Sequence, residues 1–100
     1  MAISDVKSDG SWIIVMDENG KEKKRMGGSG KEVVGITGEF FVTLEGSWIV
    51  TYDEMCKEIK RMGSSGKTVR TAAGRTFVVR EGSWMVTYDK FCKEQNRRGA

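Results

Sequence analysis

Apolar and polar residues alternate along most of the chain, a pattern that predicts β-strands. The clearest example is the segment 48–53, where Trp48, Val50 and Tyr52 fall on one face of a strand and Ile49 and Thr51 fall on the other. None of these stretches has apolar residues at the 3.6-residue spacing of an amphipathic helix. The pattern therefore predicts an all-β protein.

The tripeptide Gly-Ser-Trp recurs at a constant spacing of 36 residues, and its flanking residues recur with it. Each copy is predicted to be a meander of three strands: one that ends at Asp-Gly or Glu-Gly, one that contains the Trp, and one rich in charges. Within a single domain of residues 1–100, the predicted repeats span residues 2–38, 39–74 and 75–100.

Glycine- and serine-rich connectors join the three meanders, and each is followed by a short strand candidate, at 33–37 and at 69–72. This arrangement predicts a small trefoil-like or prism-like barrel with approximate three-fold symmetry. Two alternatives are a stack of β repeats and a homo-oligomer with exchanged strands.

The tryptophan face of each central strand is apolar in all three copies, so we expect it to be buried. Trp12, Trp48 and Trp84 would then pack around a shared axis in one dry interior. Under this interpretation, Trp48→Ala would cost about 3–5 kcal/mol of stability.

Charge is distributed unevenly along the chain. The net charge is +3, and the excess comes from residues 75–100. A phosphate-binding surface built into the repeat should be basic in every copy, which argues against nucleic acid as the first choice of partner. The charged third strands are instead predicted to be exposed sheet edges, which charge protects from aggregation.

Nucleic-acid binding remains an alternative, and its contacts would come from the third strands and the C-terminal tail. The candidate residues are Lys21, Lys23, Lys24, Arg25, Lys57, Lys60, Arg61, Lys93, Arg97 and Arg98.

Candidate catalytic chemistry is sparse. The chain has no histidine, the commonest general base and metal ligand, and it has two cysteines. Asp17, Asp53 and Asp89 recur at the ends of the central strands, where an Asp side chain is expected to form the following turn. We therefore predict no enzyme activity, no catalytic residues, no cofactor and no metal site.

The turns that follow these aspartates are unusual. The first copy has Asn19-Gly20, a good turn, whereas the others have Met55-Cys56 and Phe91-Cys92, which are poor turn formers. Either these turns fold over the interior and fill it, or they project and contact another protein. The candidate protein contacts are Met55, Cys56, Phe91 and Cys92, and whether the two cysteines pair is left open.

These observations favour a non-catalytic interaction or assembly module that binds a protein partner or copies of itself. The alternatives are a nucleic-acid-binding protein and a lectin-like carbohydrate-binding module with up to three sites. No apolar run approaches the roughly 18 residues of a membrane span, and the first residues lack the pattern of a signal peptide. We therefore expect a chain without membrane contacts, either cytoplasmic or associated with a virion.

Overall fold

A computed structural model describes residues 3–9 and 11–99 of the chain, and these form an all-β structure, as the sequence predicts. The described strands are β1 (Ile3–Asp9), β2 (Trp12–Asp17), β3 (Glu22–Gly27), β4 (Glu32–Ile36), β5 (Phe40–Glu45), β6 (Trp48–Asp53), β7 (Glu58–Gly63), β8 (Lys67–Ala73), β9 (Thr76–Glu81), β10 (Trp84–Asp89) and β11 (Glu94–Gly99). In this part of the chain, no helix is long and apolar enough to cross a membrane.

The strands form three antiparallel sheets in which neighbouring strands follow one another along the chain. The first sheet contains β1–β3, the middle sheet β4–β7 and the last sheet β8–β11. Within residues 3–9 and 11–99, none of these sheets closes on itself. The prediction of a trefoil-like or prism-like barrel is therefore wrong for the described residues, and the approximate three-fold symmetry stays a prediction.

The sheets pack face to face in chain order. We call the face of each sheet that carries its Trp the front face, and the opposite one the back face. Ile13 and Val15, on the back of the first sheet, pack with Phe41, Val50 and Tyr52 on the front of the middle sheet. The middle sheet thus has its front face covered by the back of the first.

A second apolar cluster joins the middle and last sheets in the same way. Phe40, Val42 and Ile49 on the back of the middle sheet pack with Phe77 and Val86 on the front of the last sheet. Phe40 and Phe41 are sequence neighbours and point to opposite faces, yet both are fully buried. Because both faces of the middle sheet are apolar, it is stable as the centre of a layered stack, and this is why no barrel forms.

The sheets approach most closely along one side of the stack, where the backbone of β4 contacts β1 and β8. Gly35 on β4 makes this possible, because a Cβ atom at this position would lie 2.9 Å from the Cβ of Ala72 on β8. Two ordinary side chains could not occupy this point of contact.

The tryptophans are not buried around a shared axis. Trp12, Trp48 and Trp84 are 46%, 45% and 47% exposed, so the predicted dry interior formed by the three indoles is wrong. The apolar residues that follow them are buried instead, on both faces: Ile49 and Val50 are each 0% exposed. Trp is the first residue of each central strand, where the neighbouring sheet no longer covers it.

The charged third strands β3, β7 and β11 lie at sheet edges, as predicted. One detail of that prediction is wrong. These strands are not exposed at every position, because Ile59 packs against the second cluster and the Lys23 side chain is only 13% exposed. The Lys23 Nζ lies 3.7 Å from the Glu54 carboxylate, so the cation is paired where it passes between the first and middle sheets.

Candidate functional site

The turns after the central strands are built around an aspartate, as predicted. The Asp53 Oδ1 accepts hydrogen bonds from the backbone N–H groups of Met55 and Lys57, at 2.8 and 2.9 Å. Asp17 and Asp89 bind the equivalent amides in their own turns. These carboxylates are therefore occupied by the backbone, which supports a turn-forming role.

The residue before the last amide of each turn has a left-handed backbone. Its φ angle is 76° at Gly20, 61° at Cys56 and 58° at Cys92. Glycine adopts this conformation without strain, whereas an L-residue pays roughly 1–2 kcal/mol. A cysteine at such a position needs a compensating contact.

That contact is with the core. Cys56 packs against the cluster between the first and middle sheets, and Cys92 packs against the cluster between the middle and last sheets. The preceding residues point the other way: Met55 is 44% exposed and Phe91 is 52% exposed. The cysteine of each pair thus packs inward and the residue before it projects into solvent, while contact with another protein stays a prediction.

The thiols of these two cysteines are free, so no disulfide joins them in this structure. Burial raises the pKa of the Cys56 thiol, and burial together with the Asp89 carboxylate raises that of Cys92 to about 11. Because the thiolate is the reactive form, both groups are poor nucleophiles at neutral pH. They act as small apolar side chains.

A cleft of about 380 Å³ opens beside Phe91, between the middle and last sheets. Glu39 of the β4–β5 turn lies 3.3 Å from the Arg75 guanidinium and 3.9 Å from the Lys90 ammonium. The Lys90 ammonium also lies 5.6 Å from the centre of the Phe91 ring. We call these four residues, together with Met55 of the equivalent turn in the middle sheet, the turn-end surface: it has two exposed apolar side chains, and that of Phe91 has a mixed, mainly cationic border.

The three tryptophans lie at the opposite end of the strands, each beside an arginine. In the middle sheet, the Arg61 guanidinium lies 5.6 Å from the centre of the Trp48 ring. It also donates two hydrogen bonds to Glu58, at 2.7 and 2.9 Å. The first and last sheets have the same grouping in Trp12, Arg25 and Glu22 and in Trp84, Arg97 and Glu94.

The backbone explains why the indole takes this position. Trp48 is paired across the sheet with Gly63, which has no side chain, so the ring lies beside the edge strand and reaches Arg61. An aromatic side chain that covers a glycine on a neighbouring strand stabilises the edge of a sheet. The grouping therefore attaches the edge strand to the sheet and leaves nearly half of each indole in solvent.

The candidate nucleic-acid contacts divide into two groups. Arg25, Arg61 and Arg97 are held by glutamates, and the arginine hydrogen bond lowers the pKa of each glutamate, so the partner stays ionised at neutral pH. Of the remaining candidates, Lys24, Lys60 and Arg98 lie exposed on the edge strands of three different sheets. Lys21, Lys57 and Lys93 lie exposed in the turns before these strands, and Lys23 is paired with Glu54. The structure does not gather the predicted residues into one basic groove.

Sequence reasoning missed a polar network inside the first interface. The Tyr52 hydroxyl donates to Glu45, the Thr43 hydroxyl donates to the same carboxylate at 2.7 Å, and the Lys31 ammonium donates to the Tyr52 oxygen at 3.1 Å. Burial raises the pKa of Glu45, but the hydrogen bonds from Tyr52 and Thr43 outweigh it and the net shift is downward. The spacing of Thr43 and Glu45 along one strand face is the signal that could have revealed it.

No known protein-family model and no curated protein matches this chain.

Proposed function

We propose that the chain is a non-catalytic interaction module built from three copies of one β meander, which binds a protein partner or further copies of itself. The observation that carries the proposal is the turn-end surface. Met55 and Phe91 are exposed on neighbouring sheets, and each lies in a turn whose backbone is fixed by an aspartate and whose next residue is a half-buried cysteine. Exposed apolar side chains on a rigid frame are typical of protein contact sites.

The chemistry of the border narrows the partner. Arg75 and Lys90 stand beside Phe91, and a single carboxylate, Glu39, lies between them. A partner segment with an apolar side chain flanked by acidic residues fits this surface. Its apolar group would lie on Phe91, and its carboxylates would meet the two cations.

The test compares the wild type and two variants in the capture of protein partners from extracts of the source cells. The turn-end variant is Met55→Ser with Phe91→Ser, and the matched control is Ser29→Ala with Ser65→Ala, two exposed positions in the connectors at the opposite end of the sheets. We expect a partner retained by the wild type and the control to be lost by the turn-end variant. Equal retention by all three proteins would overturn the assignment of this surface.

A second candidate function rests on the tryptophans. Each indole is nearly half exposed, and three of them are available for stacking on sugars or on nucleic-acid bases. The quenching of tryptophan fluorescence by single-stranded DNA and RNA at two salt concentrations, and a glycan array, test this function. Binding that falls steeply with salt supports a nucleic-acid ligand, and salt-independent glycan binding supports a lectin.

A further inference from the structure

The two internal interfaces of the stack have the same polarity. In both, the back face of one sheet packs on the front face of the next, so the contact is head-to-tail. A head-to-tail contact leaves one unused back face and one unused front face at the two ends of the stack. These are the back of the last sheet and the front of the first.

Both end faces have an apolar centre. Val78 and Met85 lie on the back of the last sheet, and both are half-buried. On the front of the first sheet, Ile14 is 8% exposed and Met16 is half-buried. They occupy the same strand positions as residues that are buried in the middle sheet: Val42, Ile49, Val50 and Tyr52.

The polar contacts of the second internal interface identify the partners that each end face would need. There, the Thr51 hydroxyl donates to the Lys90 carbonyl oxygen at 2.6 Å, and the Glu39 carboxylate lies 3.9 Å from the Lys90 ammonium. The equivalent position to Thr51 on the last sheet, 36 residues on, is Thr87. Its hydroxyl has no hydrogen-bond partner among the described residues.

At the positions of the end faces that are equivalent to Glu39 and Lys90, each charge has the opposite sign. The residue that corresponds to Glu39 on the last sheet is Arg75, and the residue that corresponds to Lys90 on the first sheet is Glu18. A carboxylate–ammonium pair inside the chain therefore becomes a guanidinium–carboxylate pair between the two ends. Arg75 already lies 3.3 Å from Glu39 within the chain, so Glu18 of a second copy would add a second carboxylate to this guanidinium.

We propose that the back of the last sheet docks on the front of the first sheet of a second copy, which continues the stack from one molecule to the next. The inference rests on the proposed function, since it identifies a copy of the chain as one binding partner. Its apolar contacts use neither Met55 and Phe91 nor the exposed tryptophan rings, and Arg75 is the one residue that it shares with the turn-end surface. The occupant of each end face is the opposite end face of another copy.

Three methionine substitutions test the proposal by light scattering after size-exclusion chromatography at two concentrations. Met85→Arg blocks the back of the last sheet, and Met16→Arg blocks the front of the first sheet. Met55→Arg is the matched control, because it places the same charge on the turn-end surface. Circular dichroism and thermal unfolding check that each variant is folded.

We expect the wild type and Met55→Arg to form assemblies larger than a monomer, and Met85→Arg and Met16→Arg each to be monomeric. A 1:1 mixture of the two monomeric variants has one intact back face and one intact front face, and should form a dimer. A monomeric wild type, or a mixture that stays monomeric, would overturn the proposal. If Met55→Arg no longer captures a partner but still assembles, the turn-end surface and the end faces have separate functions.

A charge reversal covers the case in which an arginine at position 16 or 85 prevents folding. Glu18→Arg should weaken the association roughly two- to fivefold, the range of an exposed ion pair. Glu18→Gln removes the charge without reversing it and should weaken the association less. An association that Glu18→Arg leaves unchanged would contradict the predicted pairing.

Discussion

The middle sheet and the two outer sheets have similar strands but different surroundings, and the difference explains where their sequences diverge. The front of the middle sheet carries Phe41, which is 0% exposed, whereas the position 36 residues earlier on the open front of the first sheet is Asp5, which is exposed. The turn of the middle sheet has Cys56 packed on the core, and the turn of the first sheet has Gly20. At these two positions, the residue is apolar or strained where another sheet covers it, and polar or relaxed where none does.

The comparison is tested most strongly by Phe41→Ala. Phe41 stacks on Tyr52 with ring centroids 5.3 Å apart and lies in the interface between the first and middle sheets. Its removal creates a cavity in a layer with no freedom to collapse, and should cost about 3–5 kcal/mol. Urea unfolding followed by circular dichroism measures the loss. A cost below about 1 kcal/mol would mean that the two sheets are not packed as described.

A matched pair of valines tests whether the back of the middle sheet is covered by another sheet and the back of the last sheet is not. Val42 and Val78 have the same position on the back of the middle and last sheets, but Val42 is 0% exposed and Val78 is half-buried. We expect Val42→Ala to cost about 2 kcal/mol and Val78→Ala to cost about 0.5 kcal/mol in the monomer. Denaturation at low protein concentration gives both values, and equal costs would remove the distinction between covered and open faces.

These pairs also show how far the sequence alone could predict the fold. Period-two alternation was enough to identify the strand of 48–53, and the recurrence of Gly-Ser-Trp was enough to align it with its counterparts. Alternation cannot say that Ile49 and Val50 are both buried, because one apolar face is sufficient for a sheet that packs on one side. The burial of both required knowledge of which sheets are stacked.

The candidate site was predicted in the same partial way. The odd composition of Met55-Cys56 and Phe91-Cys92 identified the turns, since neither pair favours a tight turn. Which residue of each pair points outward depends on the left-handed φ at the cysteine, and no sequence pattern predicts a strained backbone. The position of the tryptophans was predicted wrongly because an indole at the first residue of a strand, opposite a glycine, is not covered by the next sheet.

Trp48→Ala is therefore expected to have a smaller effect than a core substitution. The indole is 45% exposed, and its contacts are with Gly63 and Arg61 at the edge of the sheet. We expect a loss of about 1–2 kcal/mol, with the fold retained. The measurement is again urea unfolding, with Trp84→Ala as the parallel variant of the last sheet. Complete unfolding of Trp48→Ala in buffer would show that the indole supports the interior after all.

A matched threonine pair tests the polar contact between sheets. Thr51 is 0% exposed and donates to the Lys90 carbonyl oxygen of the last sheet, whereas Thr87 lies at the same position on the open back face. Thr51→Val should cost about 1 kcal/mol because it leaves that carbonyl without this donor, and Thr87→Val should change monomer stability by less than about 0.5 kcal/mol. If the two substitutions have the same effect on unfolding, the hydrogen bond between the sheets contributes nothing.

The smallest changes in stability are expected at the turns of the first and middle sheets. A substitution adds backbone strain in the first turn and removes it in the second. Gly20→Cys places a side chain on a left-handed residue at φ 76°, and the added Cβ would meet no atom within 4 Å. It should cost about 1 kcal/mol, since strain is added and no packing is gained. Cys56→Gly removes the same strain together with the thiol that packs on the first cluster, so the two contributions oppose each other and the net change should stay below about 1 kcal/mol. Unfolding midpoints at equal m-values compare the two. If Cys56→Gly were as costly as a core substitution, the Cys56 side chain would contribute to stability as a core residue does. The glycine at position 20 would then be explained by the absence of a covering sheet, since a cysteine there has no core to pack against.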